Sequence, residues 1–427
     1  MNSFSQVRNA PPGVLTRRRF VRPDAARPTV ADLAGLIAWA HGRAYGVGSP
    51  IKLVDGFTWR LASIVPVDRL GISVALLHPQ FGGYGIRWWR DTGASEEALV
   101  EHEVRKTDIY RASPFPAVVE RGETLRVRIE GNADVPYPVI GDLRAEGYTD
   151  YLAMPIALGG FLPADPKRRY QVANFATRRP GGFSDADIAA IGAGLSALEG
   201  PLALVTERRI ARDLLSIYLG RATGPRVLKG EVARGTGESI RAAILATDMR
   251  GFTTIADKLP ETETIALLNA WFERQVGAVH AHRGEVLKFV GDGMLAIFPI
   301  DDVELARASV RDALAAARDA LACAAQIDIP GVGRPRAVAA LHVGEIFHGN
   351  IGARDRLDFT AIGPAVNAVS RLEGVAKSLD VPLVVSDEFA ALSTEPMRSL
   401  GRFPLKGFAE PREVFAPAPA PGRSGSM

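Results

Sequence analysis

Residues 244–253 read ILATDMRGFT and residues 285–299 read EVLKFVGDGMLAIFP; how these two stretches lie together decides the fold. The first is an apolar run that ends in Asp248, as a buried strand does when its end reaches solvent. The second holds two apolar runs separated by Gly291-Asp292-Gly293, the pattern of a tight hairpin with an aspartate at its tip. The flanking glycines let such a turn bring its backbone close to a phosphate. Two carboxylates, one on a strand end and one on an adjacent turn, can hold two divalent cations against a triphosphate. One cation activates the attacking oxygen and the other neutralises the leaving group. Singly, Asp248 fits a turn or helix cap equally well, and an Asp-Gly hairpin needs no function at all; the pairing is what points to chemistry.

Working outward from this pair, the sequence predicts a strand over 241–247, a helix over 262–282, the hairpin over 285–299 and a helix over 303–326. Strands at 337–343 and 357–362, a helix at 364–379, a strand at 382–385 and a last hairpin at 400–415 follow. The leading β-α-β-β-α-β run predicts an α+β unit with a ferredoxin-like core and the hairpin turn beside the first strand end. Asn367 and Arg371, in PAVNAVSRLE, are four apart and share one helix face. Spacing alone leaves an exposed polar stripe open as their explanation.

With DMRGFT, LKFVGDG, TAIGPAVNAVSRLE and FPLKGF in this order, residues 238–415 resemble the catalytic domain of class III nucleotidyl cyclases. The resemblance implies that Asp248 and Asp292 are metal ligands for two Mg2+ or Mn2+ ions, and that backbone near Phe252 meets phosphate oxygens. It implies that Lys288 and Thr360 read the purine. A lysine can donate to an adenine ring nitrogen and a hydroxyl can accept from the adenine amino group, so ATP is expected over GTP. Many relatives carry an aspartate where Thr360 stands. Asn367 is expected to orient the ribose, Arg371 to stabilise charge on the α-phosphate, and Lys406 to hold the terminal phosphates. In the family, the aspartates face the purine-reading and arginine residues of a partner subunit. One chain here carries both sets, so a homodimer would form two equivalent sites. The implied activity is an adenylate cyclase making cyclic AMP and pyrophosphate; a guanylate cyclase or a catalytically silent nucleotide-binding regulator are the alternatives.

The first half speaks less clearly. Residues 1–29, rich in proline and arginine, read as a disordered arm, and 416–427 as a disordered tail. A helix is expected over 30–45 with Thr29 as its cap, strands across 51–91, a helix-like stretch near 95–104, and strands at 125–130 and 151–158. Ser184 opens a helix with Asp187 three residues on, as in a capping box, and Gly200-Pro201 is expected to end it. Residues 200–237 then read as a helical linker. YTDYLAMPI and VANFATRRPGGFSDADIAAI resemble the end of a GAF-type sensory domain spanning 30–199, with a PAS-like sheet as the alternative. The resemblance implies regulation by a small-molecule or protein input.

The formal charge of +3 gives no support for nucleic-acid binding. Cys323 is the only cysteine, which excludes an intramolecular disulfide. No uninterrupted apolar run approaches the ~20 residues of a membrane span, and the N-terminus lacks the apolar core of a signal peptide. These features lead to the expectation of a cytoplasmic protein without a membrane span.

Overall fold

The computed structural model describes residues 12–130, 137–159, 170–329 and 333–419. The chain divides into two compact units, Met1–Leu214 and Leu215–Met427. Residues 1–11 of the expected arm and 420–427 of the expected tail lie outside the described residues.

The first unit is built on seven strands: β1 (Val14–Val21), β2 (Arg69–Ala75), β3 (Phe81–Trp89), β4 (Ala94–Glu101), β5 (Leu125–Arg128), β6 (Asp150–Ile156) and β7 (Gln171–Thr177). They form one antiparallel sheet in the order β1-β4-β3-β2-β7-β6-β5. Its helices are α1 (Leu33–His41), α2 (Pro50–Ala62), α3 (Asp108–Arg111), α4 (Phe115–Arg121), α5 (Pro138–Ala145) and α6 (Asp185–Leu219). Alternation along the strands divides the side chains between two faces. Leu70, Ile72, Trp88 and Phe175 pack with Leu36, Phe57 and Leu198 from α1, α2 and α6. On the other face Tyr151, Ala153 and Val172 pack with Val118, Ile140 and Leu143 from α4 and α5.

Several expectations for this half are corrected. Residues 14–21 are not part of a disordered arm; they form β1, where Arg18 and Arg19 lie opposite Glu97 and Glu96 of β4, so charge complementarity fixes the edge strand. The cap of α1 is Asp32, whose Oδ1 accepts the Gly35 N–H at 2.8 Å, rather than Thr29. Residues 50–62 are helical, not extended, because nearly all of α2 is buried beneath the sheet. The stretch ASEEALVE is a strand despite its helix-favouring Ala, Glu and Leu, since β1 and β3 pair with both of its edges. Ser184 and Asp187 do form the reciprocal box, each side chain accepting the other's N–H. Yet Pro201 does not end the helix: α6 runs through it. That uninterrupted helix is long and apolar enough, by length and composition, to cross a membrane, although 44% of its most apolar stretch is buried.

The second unit opens with α7 (Thr223–Leu228), β8 (Gly237–Arg250), α8 (Phe252–Ala256), α9 (Glu261–Ala281), β9 (Glu285–Val290), β10 (Gly293–Pro299) and α10 (Val303–Ala324). It continues with β11 (Arg336–Gly352), β12 (Leu357–Ile362), α11 (Pro364–Leu379), β13 (Leu383–Ser386), α12 (Asp387–Leu392), β14 (Met397–Phe403) and β15 (Arg412–Pro417). The sheet order is β14-β15-β13-β11-β8-β10-β9, with β12 paired to the far end of β11. The expected β-α-β-β-α-β run is present as β8-α9-β9-β10-α10-β11, with its strands in the order β11-β8-β10-β9. Ala243, Leu245, Ala339 and Leu341 face α9 and α10, packing with Val279, Val310 and Leu314. Ala242, Ile244, Val338 and Ala340 face α11, packing with Val369, Leu372 and Ala376. Small residues on both faces of β8 and β11 let the helices sit close on the central strands.

Candidate active site

The β9–β10 hairpin places Val290 opposite Gly293, leaving Gly291 and Asp292 as a two-residue turn. Gly291 takes φ 62°, the left-handed first position of a type II′ turn, which glycine adopts without strain. Gly293 is needed for a different reason: a Cβ there would stand 3.0 Å from the Thr247 carbonyl of β8. The hairpin thus lies flat against the end of β8 and brings Asp292 to Asp248. The Met249 N–H donates to Asp292 Oδ2 at 3.2 Å, and Trp271 Nε1, on the fully buried Trp271 of α9, donates to the Asp292 carbonyl at 2.9 Å.

The pair is short of positive charge. Burial raises the Asp292 carboxyl above the usual aspartate range, and the adjacent Asp248 charge raises it further. Asp248, 18% exposed at its side chain, faces Lys377 of α11, with Nζ 2.7 Å from Oδ1. Lys377 also lies 2.8 Å from Glu373 one helical turn back. Burial works against the Lys377 ammonium, but its bonds to Asp248 and Glu373 outweigh this and raise its pKa. Burial likewise raises Glu373. Neither Lys377 nor Glu373 was singled out by sequence reading, nor was Trp271. The signal available was a Glu-Lys pair four apart on the helix that carries Asn367 and Arg371.

The other expected residues form a second group. Arg371, half-buried on α11, sits against the turn after β14, where a Cβ on Gly407 would lie 3.2 Å from its Nη1; the exposed Lys406 is in the same turn. Asn367 is exposed one turn before Arg371. Thr360 of β12 is 6% exposed, and its Oγ1 has no hydrogen-bond partner. Lys288 is half-buried on β9, and β9 and β12 approach with Cα separations inside 8 Å. Phe252 opens α8 and packs with Met249 and Trp271. Among the described residues, no hydrogen bond or ion pair links either aspartate to Lys288, Thr360, Asn367, Arg371 or Lys406.

Asp248 and Asp292 suit divalent cations in charge and donor type: two close carboxylates, short of counter-charge, with a lysine ammonium already at one of them. Among the described residues no three His, Cys, Asp or Glu side chains form a complete cage. Mg2+ is commonly bound by one or two carboxylates, with substrate phosphates and water completing its shell.

Comparison with known proteins gives this arrangement a class. Residues 237–415 match the family described as the adenylate and guanylate cyclase catalytic domain. They fold as that catalytic domain, with mixed α and β content. An uncharacterized protein of Mycobacterium tuberculosis is 34% identical over 215 residues, which is 49% of this chain and 37% of that protein. The chain therefore spans well under half the length of the curated relatives it matches. Similar solved structures include an adenylyl cyclase from P. aeruginosa, 23% identical, covering 44% of this chain and all of that one, with a TM-score of 0.39. A guanylate cyclase domain from Catenaria anguillulae, in complex with GTP, is 16% identical, covers 42% of this chain and 96% of its own, and has a TM-score of 0.37.

Proposed function

We propose that this protein is a cytoplasmic adenylate cyclase that converts ATP to 3′,5′-cyclic AMP and pyrophosphate at a homodimer interface, regulated by its first, GAF-like unit. The observation that carries this reading is the meeting of Asp248 and Asp292 at the end of β8, inside a domain whose family makes cyclic nucleotides. The 3′-hydroxyl of ATP attacks its own α-phosphorus, the bond from that phosphorus to the bridging oxygen breaks, and pyrophosphate departs with the electron pair. Held by Asp248 and Asp292, two Mg2+ or Mn2+ ions would acidify the attacking hydroxyl and neutralise the phosphates.

The chain's own residues do the rest. Arg371 places a planar, permanently charged fork where negative charge grows on the α-phosphate, and its packing on Gly407 limits its freedom to wander. Asn367, on the same helix face, orients the ribose. The buried, unpartnered Thr360 hydroxyl is ready to accept from an adenine amino group. Lys288 donates to a ring nitrogen, and Lys406 holds the terminal phosphates. That no hydrogen bond or ion pair joins the aspartates to these residues, among the described residues, supports a site shared between two copies. So do exposed apolar side chains on the hairpin and β12: Val290 at 62%, with Phe289 and Ile362 both at 48%.

The test is an assay of the purified chain with Mn2+ and either ATP or GTP, beside an Arg371→Ala variant. Cyclic AMP from ATP that is lost in the variant supports the proposal. Cyclic GMP in excess would make it a guanylate cyclase, and tight ATP binding without product would make it a regulator.

A further inference from the structure

The first unit contains a cavity of about 470 Å3 against the face of its sheet opposite α6. That size lies in the usual range for small-molecule sites. Its origin is in the sequence. Ser73 of β2 and Gly85 of β3 lie on this face, where neighbouring positions would ordinarily carry large side chains; the Asn174 side chain covers Gly71, and a Cβ on Gly83 would meet the Val74 carbonyl at 2.6 Å. The register sets Ser73 opposite Gly85, so these two small residues form one patch, two residues along β3 from Arg87. Glycine in a strand interior weakens the strand and often marks a place where another group approaches the backbone. Here Gly85 and Ser73 leave room above the sheet, beside the Asn174 and Gln171 side chains and under Phe115 of α4 and Val139 and Leu143 of α5.

At one end the cavity reaches Arg69 and Arg87, which also line an adjoining polar cleft of about 620 Å3. Both guanidiniums flank the Trp89 ring, at 6.0 and 5.7 Å from its centroid. Their carboxylate neighbours are too far for hydrogen bonds: Glu146 is 3.6 Å from Arg69 and Glu96 is 3.9 Å from Arg87. Arg87 Nη2 is buried without a hydrogen-bond partner. Burial, then the charge of Arg69, lowers the Arg87 pKa against the opposing pull of Glu96. Asp142, Glu101 and Arg105 also line the cavity.

We propose that this cavity binds a planar aromatic monocarboxylate, with its ring over Gly85 and Ser73 and its carboxylate on Arg87 and Arg69. A slot between the small residues of the sheet and the apolar side chains of α4 and α5 selects a planar body, and the unpartnered Nη2 of Arg87 selects an anion. The proposal concerns the first unit alone and is tested by binding, without reference to cyclase activity.

The test is calorimetric titration of the full chain with 2-naphthoate and with uncharged 2-naphthalenemethanol. The carboxylate should bind tighter by on the order of tenfold, as a charge-assisted hydrogen bond would give. Arg87→Gln should bring the two affinities level. Gly85→Leu should abolish binding of both, because a Cβ there meets nothing closer than Ser73 Oγ at 3.7 Å, so the new side chain grows into the cavity. Absence of naphthoate binding to the unaltered chain overturns the proposal. Equal affinity for acid and alcohol, or an Arg87→Gln variant that keeps the preference, overturns it too, whether or not Gly85→Leu folds.

Discussion

Two aspartates, Asp150 at the start of β6 in the first unit and Asp292 in the β9–β10 turn of the second, meet very different surroundings. Asp150 is wholly buried and fully partnered: Arg126 donates to Oδ2 from Nη2 at 2.7 Å and from Nε at 3.0 Å, and the Phe183 N–H donates at 2.9 Å. Asp292 has the Met249 N–H on one oxygen and a second carboxylate, Asp248, as its neighbour. Burial of a charge is tolerated where the fold supplies the opposite charge and the donors. Where it supplies a like charge instead, the deficit marks a site for a cation. Unmet demand for positive charge, more than depth of burial, separates the carboxylate proposed to hold a cation from the structural one.

The largest expected effect is on turnover. Asp292→Ala should lower cyclic nucleotide formation by on the order of a thousandfold or more, with little change in thermal unfolding. Activity within tenfold of the unaltered chain would erase the distinction. The converse substitution, Asp150→Ala, should cost about 2–3 kcal/mol of stability in urea unfolding, because it leaves the buried Phe183 N–H without its acceptor and Arg126 without its carboxylate. A loss below about 1 kcal/mol would show that Asp150 is no more structural than Asp292.

The two regions also differ in how far the sequence disclosed them. DMRGFT, the GDG turn and NAVSR each join a local backbone requirement to a polar residue; spacing paired Asp248 with Asp292 but left Asn367 and Arg371 open to an exposed stripe, and only the resemblance to class III cyclases singled them out. Lys377 and Glu373 were missed because their partner, Asp248, lies on another element; only the packing of α11 on β8 unites them. In the first unit the failures share one cause. ASEEALVE has helix-forming composition but is held extended by strands on either side, and Pro201 sits in a helix whose buried face carries it through. Tertiary contacts overrode local preference there, and periodicity over a short window cannot report them.

Lys377 sharpens the comparison at smaller scale. Arg126 satisfies Asp150 permanently, whereas a flexible ammonium only shares Asp248 with Glu373. Lys377→Met should remove a positive charge beside the proposed cation site and tighten Mn2+ binding to the nucleotide-free chain severalfold, roughly 1 kcal/mol after solvent screening. Titration followed by the electron paramagnetic resonance of free Mn2+ measures this. Weaker binding would instead make Lys377 a support that positions Asp248.

The smallest effect concerns stability without metal. The folded-state pKa of Asp292 is raised, by burial and then by Asp248. Below the ordinary aspartate value of about 3.9 both folded and unfolded chains hold the proton, and the group contributes nothing. As pH rises above that value the unfolded chain ionises first, so stability falls until the folded carboxyl also titrates. At neutral pH the metal-free protein therefore carries a penalty that Asp292→Asn removes. In chelator, the variant should melt higher than the unaltered chain at neutral pH, by on the order of one or two degrees, and the difference should vanish at low pH. Added Mg2+ should reverse the order, since binding stabilises only the chain that keeps its carboxylate. Equal melting temperatures at neutral pH in chelator would mean that Asp292 is as well satisfied as Asp150, and the contrast between the two aspartates would fail.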